Sequence, residues 1–211
     1  FRRVLFRSIY SSSLLIITIV NALVCWYSYF NKLFYLKWLS KPPFCLLLAA
    51  FVYSVMGYQS LPIVVGLVLS ALGDFLLLFK SRVLFSLGAV SFLLTHIFYA
   101  YSFSSSLSNS SVYSPWCILG VVLPFITAIL VPRYADTNKK GFFGLGCMLY
   151  MTFIGIGMLN CFRTLADPEW QDIPAIMASI SYIIFYISDT LVSVSVLIKD
   201  SWLISLSIIT T

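Results

Sequence analysis

Two aspartates and one histidine lie inside apolar runs: Asp74 in VLSALGDFLLLF (68–79), His96 in FLLTHIFYAYSF (92–103) and Asp189 in FYISDTLVSV (185–194). The other five of the seven acidic residues fall in loops or at the ends of runs. An aspartate near the centre of a membrane helix costs about 2.5–3.5 kcal/mol on insertion scales, so such residues mark pathways or chemistry by default. Three titratable groups from three separate runs are best accommodated around one shared, partly hydrated interior. Their work would be proton transfer, either as acid and base in a reaction or as a relay. Each has polar company at helical spacing: Tyr99 three beyond His96, Ser70 four before Asp74, and Tyr186 and Ser193 around Asp189.

Other chemistries fit poorly. A catalytic zinc site takes three His, Cys or carboxylate ligands and an open position; the chain has one histidine and no cysteine near it in sequence. No metal or other cofactor is expected. No G-x-S-x-G elbow accompanies the serines. An intramembrane aspartyl protease also uses two aspartates in separate spans. ALGD (71–74) approaches its G-x-G-D pattern, but the order relative to the second aspartate is reversed and the P-A-L motif is absent. The glycines of GFFGLG (141–146) and GIGM (155–158) follow no strand, so close helix packing explains them better than a phosphate cradle. Cys25, Cys45, Cys117, Cys147 and Cys161 form no C-x-x-C pair and read as small buried apolar groups.

The elements that position these groups are membrane helices. The 211 residues are 61% hydrophobic and 9% charged, with a mean hydropathy of +1.00, whereas soluble domains carry about 25% charged residues. Apolar runs cover 9–30, 42–58, 60–79, 83–103, 114–131, 142–161 and 173–198, and an eighth begins at Trp202 and stops at Thr211. About 20 apolar residues span a bilayer, so the fold class is all-α: a polytopic membrane helix bundle with seven full spans and a truncated eighth. Short connections imply antiparallel neighbours. The opening FRRVLFRS matches the translation of a sequencing-adapter end, so residues 1–8 are expected to be an artefact and 9–211 a single transmembrane helical domain. Without Arg2, Arg3 and Arg7 the net charge drops from +6 to +3, and no basic-aromatic patch points to nucleic acid.

Lys32, Lys37, Lys41, Lys80, Arg82, Arg133, Lys139, Lys140 and Lys199 follow the first, third, fifth and seventh runs, and only Arg163 falls on the other side. That bias places those four connections in the cytoplasm. The loop ADPEWQD (166–172) and the Asn109-Ser110-Ser111 sequon then face outward or into a lumen.

The glycine-aspartate of VGLVLSALGDFLLLF, the H-x-x-Y of FLLTHIFYAYSF and the serine-aspartate of YIIFYISDTLVSV, in this order and spacing, resemble the signature spans of the YhhN-type lysoplasmalogenase family. Lys41-Pro42 and Tyr150 in GCMLYMTFIGIG add to the likeness, which runs from about residue 31 onward. The family commonly has an Asn or Lys shortly after its serine-aspartate turn, where this chain reads VSVLIKD, and it continues past the last span with a segment that this sequence lacks. The resemblance implies an enzyme that cleaves the vinyl ether bond of lysoplasmalogens, giving a fatty aldehyde and glycerophosphocholine or glycerophosphoethanolamine. Two carboxyls in different surroundings can divide such work between acid and anion. Asp74 and Asp189 would fill those roles in an unassigned order. His96 would orient water or a carboxylate, and Tyr99, Tyr150, Ser188 and Lys41 would support them or bind substrate. The implied partners are a lysophospholipid substrate and membrane lipids. The membrane would be the endoplasmic reticulum in a eukaryote or the inner membrane in a bacterium. The alternatives are a proton-coupled transporter, which inverted repeats would favour, and a non-catalytic lipid-binding membrane protein. No internal symmetry supports the transporter.

Overall fold

A computed structural model of the chain describes residues 2–31, 33–79, 81–108, 114–134 and 142–197. The eighth run, the sequon, and Lys32, Lys80, Lys139, Lys140 and Lys199 lie outside the described residues. The described residues form helices and turns, with no strand among them. The helices are α1 (Arg2–Phe30), α2 (Phe34–Met56), α3 (Leu61–Leu77), α4 (Arg82–Ser105), α5 (Cys117–Tyr134), α6 (Phe142–Arg163) and α7 (Asp172–Leu197). Each follows one of the seven apolar runs, so hydrophobic length alone located them. Five apolar stretches among the described residues are long enough to cross a membrane, and one of these, Leu39–Leu77, takes in α2 from Leu39 onward and all of α3. Cys117–Val131 in α5 is a shorter apolar helix.

One boundary corrects the sequence reading. The second run is expected to open at Pro42, with Lys37 and Lys41 in the preceding connection, yet α2 begins at Phe34 and carries Pro42 and Pro43 in its interior. Proline lacks the N–H that an interior helical position donates, so the carbonyls of residues 38 and 39 have no i+4 partner. The side chain of Asn21 in α1 donates to the neighbouring Ser40 carbonyl at 2.8 Å, and the Ser40 hydroxyl donates to Leu36 O at 2.7 Å. Lys41 is thereby a residue of a membrane helix.

The chain divides into two compact units, residues 1–102 and 103–211. In the first, α1 and α2 run antiparallel, joined by the Asn21–Ser40 bond and a Ser11–Ser54 hydroxyl pair at 3.0 Å. Gly57 ends α2 with φ 66°, a conformation that only glycine adopts freely. A 3-10 turn from Gly57 to Ser60 then leads into α3, with Pro62 in its first turn.

Small residues of α3 seat the larger ones of α4. A side chain at Gly66 would meet the Tyr99 ring at 2.5 Å, and one at Gly73 would meet the Phe92 ring at 2.7 Å. Between them Ser91 donates to Leu69 O at 2.7 Å and Thr95 to Gly66 O at 3.1 Å. Small residues and interhelical hydroxyl bonds are how membrane helices associate, because lipid tails are as apolar as the side chains and no hydrophobic gain separates the two.

In the second unit α6 packs against both α5 and α7. Met151, Ile154, Met158 and Cys161 are fully buried along it, a stripe at helical spacing. A side chain at Gly120 would meet the Leu159 backbone at 2.8 Å, and one at Gly155 would meet the Gly120 carbonyl at 3.2 Å, so α5 and α6 touch backbone to backbone. Gly157 leaves room for Tyr182 of α7. The packing role expected for the sixth-span glycines therefore holds at Gly155 and Gly157, whereas Gly146 faces open space. Ile16, Ile17, Phe125, Met177 and Ile184 are among the many large apolar side chains left exposed, as a lipid-facing surface requires.

Candidate functional site

In the first unit the charge of Asp74 is met from α2. The Lys41 ammonium lies 3.2 Å from Asp74 Oδ1, with the two side chains 23% and 14% exposed. One turn further along α2, the Cys45 thiol donates to Asp74 Oδ2 across 3.8 Å. Lys41 and Cys45 are four residues apart, hence on one face of the helix, and between them they address both carboxylate oxygens. The pair is not legible from spacing, since its members lie in different helices. Lys41 is expected as a supporting residue through the resemblance, whereas Cys45, read from the sequence as a small buried apolar group, is half-buried and donates to a carboxylate; its position four after Lys41 is the signal that links the two.

The bonds that Ser70 makes run toward α4. Its hydroxyl donates to Thr95 Oγ1 at 3.3 Å and is hydrogen-bonded with the Tyr99 hydroxyl. Thr95 in turn donates to carbonyls of α3 and of its own helix, at Gly66 and Ser91. Tyr99 is thus fixed by a hydroxyl chain at its tip and by Gly66 against its ring. His96 is 1% exposed, next along α4 from the buried Thr95.

In the second unit the Tyr150 hydroxyl donates to Asp189 Oδ2 at 2.5 Å, from α6 to α7. An O–H···O bond of this length is at the short end of the normal range, and the phenol fixes how the Asp189 carboxyl is turned. Ser188 and Asp189 are both half-buried on α7. Tyr186, three before Asp189, is engaged elsewhere: its hydroxyl is bonded to Thr127 and to the Leu123 carbonyl of α5. Ser193 is hydrogen-bonded with Cys147 of α6. Polar neighbours at helical spacing thus share a face with each aspartate while serving another contact.

A further carboxylate organises the connection into α7. Asp167 Oδ2 accepts the backbone N–H of Ser108 at 2.7 Å and its hydroxyl at 3.1 Å, and Oδ1 accepts the Glu169 N–H at 2.9 Å. Trp170 donates its indole N–H to Ser106 O at 3.2 Å and packs its ring near Phe103. Burial works to raise the Asp167 pKa, but the Glu169 and Ser108 donors and the Arg163 charge outweigh it, so the carboxyl titrates below its ordinary value.

Among the described residues no three His, Cys, Asp or Glu side chains cluster as metal ligands would. The geometry supplies two carboxylates with contrasting partners, a cation and a thiol for Asp74 and a phenol for Asp189. No curated protein and no solved structure matches the chain. The model of the YhhN family matches residues 36–211, a range that includes Lys41, Asp74, His96, Tyr99, Tyr150 and Asp189, and the chain belongs to the YhhN family.

Proposed function

We propose that this chain is a membrane-embedded hydrolase that cleaves the vinyl ether bond of lysoplasmalogens by carboxyl acid/base chemistry. The observation that carries the reading is the pairing of Asp74 with Lys41 between apolar helices of the first unit, and the second unit separately holds Asp189 by a hydrogen bond from Tyr150. A membrane ion pair of this kind is expensive to keep for packing alone. Family membership and the implied chemistry favour the same residues.

The reaction divides into two proton transfers. Asp189, with Oδ2 held by Tyr150, gives a proton to the β-carbon of the vinyl ether, which leaves an oxocarbenium ion at the ether-bearing carbon. The water that adds to that carbon loses a proton to a carboxylate, a role that suits Asp74 as the anion of its ion pair. The hemiacetal so formed collapses: its hydroxyl proton returns to the carboxylate that acted as acid, the bond to the glycerol oxygen breaks, and that oxygen takes the proton held by the carboxyl that acted as base. The sum is one water consumed, one fatty aldehyde and one glycerophospho-alcohol released. His96 orients the water or a carboxylate, and Tyr99 and Ser188 support the site. The single acyl-like tail of a lysolipid stays among apolar side chains throughout, which suits a protein of this hydropathy.

The test is turnover of 1-alkenyl-lysophosphocholine and 1-alkenyl-lysophosphoethanolamine by protein purified in detergent, run in D2O. The proposal expects aldehyde carrying one deuterium on the carbon next to the carbonyl, from protonation of the β-carbon. Absence of aldehyde, with proton-coupled flux in proteoliposomes, would replace the hydrolase reading with a transporter.

A further inference from the structure

Lys41 and Cys45 of α2 reach the two oxygens of Asp74, and of these two side chains only Lys41 is charged. Lys41 Nζ meets Oδ1 at 3.2 Å and Cys45 Sγ meets Oδ2 at 3.8 Å, both from the same face of α2. The χ2 torsion of an aspartate is broad and roughly two-fold, so each added contact narrows the orientations of its carboxylate plane. Two contacts from one rigid helix face fix the carboxylate plane as well as its position. We infer that Cys45 is a positioning residue for Asp74, setting which lone pair of Oδ2 is presented and thereby the rate of the proposed proton transfer. The inference rests on the proposed hydrolase reading for its effect on rate and on the structure alone for the thiol–carboxylate bond.

The chemistry of cysteine suits this place. A thiol is a weak donor and a small apolar body, so it occupies a lipid-facing helix without the insertion penalty of a second charge. It also leaves the proton-accepting capacity of Oδ2 largely intact, which a strong donor such as lysine would not. Cys45 is half-buried in α2, and the other cysteines of the chain have no carboxylate contact among the described residues.

Three variants separate positioning from packing. Cys45→Val deletes the donor while leaving no void, Cys45→Ser keeps a donor, and Cys45→Ala deletes the donor and removes volume. The expected result is a kcat about tenfold lower in Cys45→Val and Cys45→Ala, KM within twofold of the parent, and kcat recovered to within threefold in Cys45→Ser, on the scale of one weak hydrogen bond. A structural role alone would order the variants by volume and move KM and thermal midpoint together. A second readout needs no activity. The infrared S–H stretch of Cys45, isolated as the difference between the parent and Cys45→Ala, is expected at the lower frequency of a hydrogen-bonded thiol. It should return to the free-thiol position in the charge-neutral pair Lys41→Met with Asp74→Leu. A band that ignores that double substitution, or Cys45→Val turning over at the parental rate, overturns the inference. An inactive parent with a band that responds would remove the hydrolase reading and leave the Cys45–Asp74 bond standing.

Discussion

Replacing Lys41 with Met removes the cation from Asp74 while keeping most of the apolar stem. At 3.2 Å and an effective dielectric of about 20, the direct attraction is about 5 kcal/mol. Desolvation of both ions offsets much of it. The pair is not fully enclosed, with 23% of Lys41 and 14% of Asp74 exposed, which lowers it further. A coupling of about 2 kcal/mol remains. For a chain of this length each kcal/mol moves the thermal midpoint by about 2–4 °C, so Lys41→Met and Asp74→Asn are each expected to lower it by about 4–8 °C. The double variant should fall by much less than the two together, because neither charge is then left alone. The assay is a double-mutant cycle followed by tryptophan fluorescence in one detergent at fixed salt. A coupling below about 0.5 kcal/mol, the scale on which independent sites add, would refute the argument that this pair holds α2 to α3.

Tyr150→Phe deletes the hydroxyl given to Asp189; hydrogen bonds to charged groups are worth about 1.5–3 kcal/mol, so aldehyde release should fall about 10- to 100-fold while the protein stays folded by circular dichroism. Gly120→Ala should destabilise the second unit by about 1–3 kcal/mol, because the added methyl meets helix backbone rather than a movable side-chain tip, whereas Gly146→Ala, facing open space, should be neutral or slightly stabilising in the same thermal assay. The Asp167 clasp predicts a pH dependence: its carboxyl titrates below the ordinary value in the folded chain, so the folded state binds the proton less readily than the unfolded one. The stabilisation it supplies is complete above the unfolded carboxylate range, about pH 4, and is lost as pH falls through the lower folded value. The thermal midpoint gap between the parent and Asp167→Asn should therefore be widest near neutral pH and close on acidification below about pH 4; a gap that widens there would contradict the clasp.

The helices were legible because a membrane span announces itself by length and hydropathy, and each of the seven runs carries one. The start of α2 was not, because Pro42-Pro43 and two lysines read as a connection by local chemistry. The bond from Asn21 in α1 and the charge of Asp74 in α3 secure that stretch as helix from outside it. The three titratable residues inside apolar helices were visible by type, but Lys41, which meets Asp74, lies in another helix, and periodicity reports faces, not partners. Ser70 and Tyr186 illustrate the limit: both share a face with an aspartate, while their hydroxyls make bonds to α4 and α5 respectively. A long side chain such as tyrosine ends far from its own Cα, so its spacing does not locate its hydroxyl.

Aldehyde release from an alkenyl lysophospholipid by the parent, Asp74→Asn and Asp189→Asn tests the central claim most directly. The account predicts turnover by the parent and a loss of about 100-fold or more in each variant, as removal of a general acid or base entails. Parental rates in both substituted chains would leave neither carboxylate with a part in the chemistry.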